Sequence, residues 1–409
     1  MPAPRQAPRQ ARFAQAFRSG TALGSGPTAD SMRRVKPTSP NALAGRLESL
    51  DVFRGATIAA MMLVNNPGDW NTVYWPLLHV PWHGWTPTDL VFPFFLFIVG
   101  VALTFSKRAS FREALVRALK LIGLGLLLAL YPYFPFLELR WPGVLQRIGV
   151  CYLAAWAARR FLGPRGQAAL AAVLLVGYWG LMTKVTGPEG HPPNLEMQTN
   201  LAAQVDRMLL GGHMWAATKT WDPEGLVSTL PAIATPLLGL LCGAWLAGRG
   251  ERTPFRTTLG LVGGGLVLTL LGVLWGEAAP PALLFPINKN LWSPSFVLFT
   301  GGLASAGLGL AYAVVDVAGV RRWASPLVTY GRNPIAVYVA AGILEDTLNA
   351  IKWPAADGTV LSLHQRLYQL FPASVLPPYA ASLAWALMMV VIYYLIAAWL
   401  DRRRIYLKV

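Results

Sequence analysis

Ten apolar stretches recur along this 409-residue sequence, each close to the roughly 20 residues that an α-helix needs to cross a bilayer. In hydrocarbon every backbone amide and carbonyl must be paired internally, so such stretches are expected to be helices. Only 13% of the residues are charged, whereas soluble domains carry about 25%. The sequence therefore predicts an all-α, polytopic integral membrane helix bundle with about ten transmembrane helices. The stretches comprise residues 50–65, 90–105, 118–136, 144–161, 168–185, 226–247, 259–275, 296–315, 327–344 and 379–400.

Positive charge is concentrated in alternate loops between these stretches. The formal net charge is +16, and clusters such as Arg159 and Arg160 fall on the same side as the basic N-terminus. An excess of Lys and Arg marks cytoplasmic loops, so both termini are predicted to be cytoplasmic. This placement accounts for the charge without nucleic acid as a partner. The longer loops, which carry most of the Trp, Asn and His residues, are then extracytoplasmic.

Composition divides the chain into two regions. Residues 1–45 are rich in Arg, Pro, Ala, Ser and Gly and lack an apolar core, which indicates a disordered basic cytoplasmic tail. Residues 46–409 are predicted to form the transmembrane domain. Cys151 and Cys242 each lie inside an apolar stretch, which favours a packing role over a disulfide or a thiolate metal site.

The loop LHVPWHGWTPTD leads directly into the second apolar stretch. Its two histidines, His79 and His83, have the spacing of metal ligands on a helix, but Pro81 and Gly84 argue against a helix, and no metal is predicted. A histidine that acts as a general base needs a carboxylate to orient its ring, and Asp89 is placed to orient His79. An aromatic belt at the membrane interface is the alternative interpretation; it explains the tryptophans but not the histidines.

Other polar residues lie at the same extracytoplasmic mouth. Asn65 ends the first stretch and either begins a turn or binds a substrate. Arg147 lies about one turn inside the fourth stretch, where a charge costs about 2.5–3.5 kcal/mol, so we expect it to face a polar cavity, with snorkelling as the alternative. The segment WDPEG, with Trp221, Asp222 and Glu224, suits a sugar, since carboxylates accept hydrogen bonds from hydroxyls. A simple turn before a helix is its alternative interpretation.

Two segments near the predicted cytoplasmic surface carry arginines. Arg54 and Asp51 are three residues apart on one helical face and are expected to pair. Arg332 and Asn333 open the ninth stretch. Phosphate recognition favours Arg, so an anionic ligand is one interpretation of both segments; a topology anchor or a helix start is the other.

Seven blocks, taken in order, resemble the heparan-α-glucosaminide N-acetyltransferase family, particularly its bacterial members. They are RLESLDVFRG, VNNPG, HVPWHGWTPTDLVFPFFLFIVG, RWPGVLQRIGV, WDPEG, PINKNLW and GRNPIAVYV. The resemblance implies a membrane acetyltransferase that draws acetyl-CoA from the cytoplasm and acetylates a glucosamine amine on the opposite side. It places the family's catalytic histidine on His79 and matches Asp89 and Asn65. Lysosomal members have Asn where this chain has His83, which argues against His83 as the required base.

The predicted function is therefore acetyl transfer from acetyl-CoA to an amino sugar or glycan, in the bacterial inner membrane. His79, Asp89 and Asn65 are the predicted catalytic residues, with His79 acting as a base or as an acetyl relay. Besides the lipid bilayer, a second copy in a homodimer is an expected partner. The predicted sugar-binding residues are Trp82, His83, Arg147, Trp221, Asp222, Glu224, Asn288, Lys289, Asn290 and Trp292. The residues predicted to bind coenzyme A are Arg54, Lys107, Arg108, Arg332 and Asn333.

Two other functions fit the same features less well. A permease for N-acetylglucosamine or a related amino sugar would share the spans and the Trp-rich mouth, but it has no need of His79 or of a cytoplasmic anion site. A regulatory or scaffold protein leaves the intramembrane Arg147 without a role.

Overall fold

The computed structural model describes residues 47–107, 109–355, 358–370 and 373–407. The predicted tail, residues 1–45, and Arg108 lie outside the described residues. Residues 46, 356–357, 371–372 and 408–409, which belong to the predicted transmembrane domain, also lie outside them. All the other predicted site residues are described.

Helices dominate the described part of the chain, as the sequence predicts. Its two strands, β1 (Lys352–Pro354) and β2 (Val360–Ser362), form a short antiparallel pair. The helices are α1 (Glu48–Asn65), α2 (Val91–Phe105), α3 (Phe111–Leu130), α4 (Val144–Phe161), α5 (Pro164–Lys184), α6 (Leu201–Leu210), α7 (Thr229–Ala247), α8 (Pro254–Val273), α9 (Pro294–Ala311), α10 (Ser325–Arg332), α11 (Pro334–Ala350), α12 (Leu363–Leu370) and α13 (Pro378–Arg402).

Six helical segments of the described chain are long and apolar enough to cross a membrane. Six is fewer than the roughly ten transmembrane helices that the sequence predicts. Helices α1, α3 and α4 occupy three other predicted stretches, but their charged residues lower their apolar character. The six segments are Pro87–Phe105, Pro164–Lys184, Thr229–Glu251, Pro254–Ala278, Pro294–Val317 and Pro378–Arg402.

The ninth apolar stretch is not one helix, which corrects the sequence-based expectation. Helix α10 ends at Arg332, and α11 begins at Pro334. Between them Asn333 has φ −130° and ψ 48°, outside the helical region. A proline disfavours the helical conformation of the residue before it, so Pro334 explains the break.

Glycines allow close contact between α2 and α7. A Cβ added at Gly100 would lie 2.0 Å from the carbonyl oxygen of Pro236, and one at Gly239 would lie 2.1 Å from that of Phe97. Small residues let membrane helices approach until their backbones touch, which maximises van der Waals contact. This contact fixes α2 against the centre of the bundle. Helix α2 follows residues 78–89, the segment LHVPWHGWTPTD, which we call the histidine loop.

We predict that Gly100→Ala destabilises the protein by about 1–3 kcal/mol, the usual cost of overpacking a close contact. Thermal unfolding of the purified protein in detergent would measure the loss. The matched control is Gly177→Ala in α5, where an added Cβ meets no atom of the described residues within 4 Å. Equal unfolding temperatures for the two variants would contradict the importance of this contact.

Candidate functional site

The loop between α1 and α2 is ordered by its own polar side chains. Gly84 has φ 98°, in the left-handed region that glycine favours, so the histidine loop cannot continue as a helix. A single turn of 3₁₀ helix, Pro87–Leu90, then leads into α2. Thr86 caps this turn: its backbone N–H and its hydroxyl donate to Asp89 Oδ2 at 3.0 and 3.1 Å.

Asp89 orients the ring of His79. The Asp89 side chain is fully buried, and its Oδ1 lies 2.7 Å from Nδ1 of His79, whose side chain is 46% exposed. Oδ2 accepts from the Val80 backbone N–H at 3.2 Å as well as from Thr86. A carboxylate only accepts hydrogen bonds, so Nδ1 is the donor of this contact, and a neutral imidazole in this orientation has its lone pair on Nε2.

A second loop, residues 285–293, packs against the histidine loop. The Gly84 backbone N–H donates to the Ile287 carbonyl at 2.7 Å. Lys289 Nζ lies 2.9 Å from Nδ1 and 3.3 Å from Nε2 of His79, and 3.5 Å from Asp89 Oδ1. The ammonium and the imidazole therefore share one carboxylate.

The ionisation of Lys289 depends on this carboxylate. Burial lowers the pKa of Lys289 below its ordinary value, while the charge of Asp89 acts in the opposite direction and raises it. The net result is a lysine that loses its proton more readily than an exposed one.

His79 opens into a cavity of about 410 Å³. Of the predicted residues, His79, Asn65, Trp221, Glu224, Lys289 and Asn290 line this cavity. The structure thus brings together residues that are separated by more than 200 positions in the sequence. We call this space the histidine cavity.

Arg140 also lines the histidine cavity, and the sequence-based site predictions did not include it. Its Nε and Nη2 donate to Asp222 at 2.9 and 2.6 Å, and Nη2 also donates to Glu224 at 2.5 Å. Asp222 is buried and does not line the cavity. The two carboxylates that the sequence predicts to bind a sugar therefore already accept hydrogen bonds from Arg140, although Glu224 still faces the cavity.

Several other predicted sugar-binding residues lie behind the wall of the cavity. The Trp82 indole N–H donates to the Leu195 carbonyl at 2.9 Å, and the Trp82 ring packs edge-on against Trp221 with centroids 5.2 Å apart. Trp292 is fully buried, and its indole N–H donates to Thr235 at 3.1 Å. Neither Trp82 nor Trp292 lines the cavity.

His83 and Asn288 support each other away from the cavity. The Asn288 amide donates to His83 Nδ1 at 3.2 Å, while its carbonyl accepts from the Leu291 backbone N–H. Burial lowers the pKa of His83, even though Glu196 and Glu277 act to raise it. The two histidines of the loop consequently have different surroundings, and His79 is the one that faces the cavity.

Arg147 is buried against the start of α7. Its Nη2 donates to the Gly225 carbonyl at 3.0 Å and to the Ser228 hydroxyl at 2.5 Å. Its guanidinium carbon lies 5.2 Å from the centre of the Trp292 ring. Arg147 does not line the histidine cavity, so the expectation that it faces a polar cavity is not met. It instead holds the segment that carries Glu224.

The two adjacent asparagines at the end of α1 have different surroundings. Asn66 is buried, donates to the Met62 carbonyl at 2.7 Å and accepts from the Tyr393 hydroxyl at 3.1 Å. Asn65 is exposed and lines the histidine cavity. Only the first of the pair is therefore available to a ligand.

A second cavity, of about 610 Å³, lies among α1, α2, α3, α4 and α11. Of the residues predicted to bind coenzyme A, Arg54 and Arg332 line it. Arg117 and Lys120 line it too, although the sequence analysis did not assign them to a site. We call this space the basic cavity.

The other two described candidates for coenzyme A do not line the basic cavity. Lys107 is exposed, away from the lining. The Asn333 amide donates to the Ile405 carbonyl at 2.8 Å and its carbonyl accepts from the Leu407 backbone N–H at 3.3 Å, so Asn333 fastens the C-terminal segment. Leu407, which Asn333 holds, is itself part of the cavity wall.

The two cavities lie end to end along the bundle. In α1, Arg54 lines the basic cavity and Asn65 lines the histidine cavity, about 16 Å further along at 1.5 Å per residue. In α2 the order is reversed: Phe92 lines the histidine cavity and Ala102 the basic cavity. Between the cavities lies a void of about 20 Å³, lined by Met61, Phe92, Phe95, Val144, Leu145, Ile148, Pro334, Ile335 and Tyr338.

The sequence is similar to proteins that share one description. A family described as heparan-alpha-glucosaminide N-acetyltransferase, catalytic, matches residues 46–272. The heparan-alpha-glucosaminide N-acetyltransferase of Mus musculus is 28% identical over 399 residues, covering 82% of this chain and 59% of the relative. The protein of the same name from Homo sapiens is 29% identical over 378 residues, covering 78% and 56%. The chain thus spans less than two thirds of the length of either relative.

We predict that Asp89→Asn lowers the pKa of Lys289 further, because it removes the negative charge that opposes the effect of burial. The rate at which an amine-directed reagent labels Lys289 would be followed against pH by mass spectrometry. The pH at which the labelling rate is half-maximal should move to a lower value. This midpoint does not depend on how accessible the amine is.

Lys219, which is exposed, provides an internal control in the same samples, and its midpoint should not change. An unchanged midpoint for Lys289 would show that the carboxylate does not govern its ionisation.

Proposed function

This chain belongs to the heparan-alpha-glucosaminide N-acetyltransferase catalytic family, and we propose that it moves an acetyl group from cytoplasmic acetyl-CoA to an amino sugar on the opposite side of the membrane. The observation that carries the proposal is the end-to-end arrangement of the two cavities. One holds an oriented histidine, the other holds a group of cations, and a narrow apolar void separates them.

The basic cavity suits the nucleotide end of acetyl-CoA. Arg54, Arg117, Lys120 and Arg332 supply positive charge, and Arg is well matched to phosphate oxygens. The apolar side chains beyond them, such as Ile98 and Ile148, suit the uncharged arm that carries the thioester. In this arrangement the acetyl group points along α2 towards His79.

The histidine cavity supplies the base. With Nδ1–H donated to Asp89, Nε2 of His79 removes a proton from the acceptor amine. The amine nitrogen then bonds to the acetyl carbon, the carbon–sulfur bond breaks, and Nε2 returns the proton to the thiolate of coenzyme A. In the relay alternative, Nε2 is itself acetylated first and then passes the acetyl group to the amine.

The membrane arrangement we propose has both termini and the basic cavity on the cytoplasmic side of a bacterial inner membrane. This orientation is supported by the concentration of Lys and Arg in alternate loops between the apolar stretches. The two cavities lie at opposite ends of α1 and of α2, as expected if both helices cross the membrane. Helices α1, α3, α4 and the α10–α11 pair would then complete the ten crossings, with their charged residues facing the basic cavity or the helix ends.

We predict that His79→Ala lowers acetyl transfer from labelled acetyl-CoA to glucosamine by at least about 100-fold, the smaller end of the usual contribution of a general base. The purified protein would be assayed for labelled N-acetylglucosamine. His191→Ala is the matched control, because His191 is exposed and does not line the cavity.

Transfer that survives His79→Ala would exclude His79 as base and as relay. If no acceptor is acetylated and proteoliposomes instead take up N-acetylglucosamine, the protein is a permease.

We also predict that Arg117→Gln and Lys120→Gln each raise the KM for acetyl-CoA about tenfold and leave kcat nearly unchanged. A hydrogen bond to a charged group contributes about 1.5–3 kcal/mol, and about 1.4 kcal/mol corresponds to a factor of ten. Steady-state kinetics with varied donor would measure both constants. Arg165→Gln, an exposed cation outside the cavity, should change neither. An unaltered KM in both cavity variants would place the donor elsewhere.

A further inference from the structure

Lys289 places a primary amine inside the histidine cavity. Among the described residues that line the cavity, no other lysine occurs. Its Nζ lies 3.3 Å from Nε2 of His79, the atom that removes the acceptor's proton or carries the acetyl group in the proposed reaction. The Lys289 side chain is only 14% exposed. The functional group that the acceptor is proposed to offer is therefore also present in the protein, beside the reacting atom.

The loop that carries Lys289 is held on both sides of this residue. The Trp292 backbone N–H donates to the Lys289 carbonyl at 3.0 Å. The Asn288 side chain accepts from the Leu291 backbone N–H at 2.8 Å, and the Leu291 carbonyl accepts from the Tyr178 hydroxyl of α5 at 2.8 Å. The amine is therefore presented to the cavity by a fixed loop.

The amine is not locked in its charged form. Asp89 Oδ1 lies 2.7 Å from Nδ1 of His79 but 3.5 Å from Nζ of Lys289, so the carboxylate is closer to the imidazole than to the amine. Burial lowers the pKa of Lys289, and the charges of Asp89 and Glu224 only oppose this effect. A neutral amine has the lone pair that attacks a carbonyl carbon. At neutral pH a larger fraction of Lys289 than of an exposed lysine is therefore nucleophilic.

The donor would reach His79 and Lys289 through the same opening. Four residues line both the narrow apolar void and the histidine cavity: Met61, Phe92, Val144 and Tyr338. A thioester that passes the void therefore enters the cavity that His79 and Lys289 both line. An amine already held beside the reacting atoms needs no diffusional encounter, and such proximity raises a reaction rate strongly. When no acceptor is bound, Lys289 is the amine that remains there.

We infer that Lys289 is a site of self-acetylation, which reacts when acetyl-CoA is bound and no acceptor occupies the histidine cavity. The inference rests on the proposed acetyltransferase function. The Lys289 nitrogen bonds to the acetyl carbon, the carbon–sulfur bond breaks, and the proton that the amine loses passes through Nε2 of His79 to the thiolate of coenzyme A. In the relay alternative, the bond between Nε2 and the acetyl carbon breaks instead, and the amine proton passes to the imidazole.

Acetylation of Lys289 would inactivate the enzyme. The product is an amide, which does not pass the acetyl group on, whereas an acetylated imidazole does. The modification also removes the positive charge beside Asp89 and adds an acetyl group next to Nε2 of His79, where the acceptor amine must approach. Donor without acceptor would therefore switch the enzyme off, and a bound acceptor would protect it.

The test incubates the purified full-length protein with excess isotope-labelled acetyl-CoA at neutral pH, with and without glucosamine. Treatment with hydroxylamine, which removes acetyl groups from imidazole but not from lysine, precedes digestion and mass spectrometry. Without glucosamine, the initial labelling rate of Lys289 should exceed that of the exposed Lys219 by at least about tenfold, because Lys289 lies beside the reacting atoms. Glucosamine should slow the labelling of Lys289 and leave that of Lys219 unaltered.

Labelling of Lys289 that is no faster than that of Lys219, or that glucosamine does not slow, overturns the inference. The N-acetylglucosamine formed in the same samples tests the proposed function separately. Transfer to glucosamine without label on Lys289 overturns the inference alone. Absence of both products overturns the proposed function, and this inference with it.

A variant connects the modification to the loss of activity. Lys289→Arg keeps a positive charge beside Asp89, but its guanidinium stays protonated and is not acetylated. After incubation with acetyl-CoA alone, the wild type should have lost transfer activity in proportion to the acetylated fraction of Lys289, and Lys289→Arg should keep its initial activity. Each protein is compared with its own unincubated sample, so the ratio does not depend on the initial activity. Lys219→Arg, the matched control, should lose activity as the wild type does. An equal loss in Lys289→Arg overturns inactivation through Lys289.

Discussion

The buried carboxylate of Asp89 is the interaction on which the site depends. One of its oxygens binds the histidine loop through Val80 and Thr86, and the other contacts His79 and Lys289. A buried carboxylate is strongly destabilising unless it is paired and hydrogen-bonded. The start of α2, the histidine loop and the 285–293 loop are therefore held in one arrangement, and the orientation of His79 follows from it.

The helices and the pair of His79 with Asp89 could be predicted from the sequence because their determinants are local. Apolar stretches indicate helices, and ten residues separate the histidine from its carboxylate. The break between α10 and α11 also has a local cause, Pro334, which lies inside an otherwise apolar stretch. The apolar pattern alone predicts one continuous helix, and the proline is the sequence signal for the break.

The roles of residues that are far apart in the sequence but adjacent in the fold could not be predicted in the same way. Asp222 and Glu224 look like sugar ligands in isolation, and only the fold shows that Arg140, some 80 positions earlier, already occupies them. Arg117 and Lys120 look like cytoplasmic topology signals until α1, α4 and α11 enclose them in the basic cavity. Trp292 looks like a ring for stacking, yet it is fully buried and hydrogen-bonded to Thr235. In each case the residue type is compatible with more than one role, and only the packing shows what the side chain contacts.

The void between the cavities places a further constraint on the proposed reaction. At about 20 Å³ it has room for roughly one water molecule, and its lining is apolar apart from Tyr338. A sugar ring is wider than this void, and in the proposed reaction the extended donor arm would enter it once side chains such as Phe92 and Phe95 change rotamer. An arm that fills the void also closes it to water and ions, so the donor would seal the passage that it uses. In the proposed reaction the acetyl group would then cross the bundle while the sugar and the nucleotide stay on opposite sides of the void.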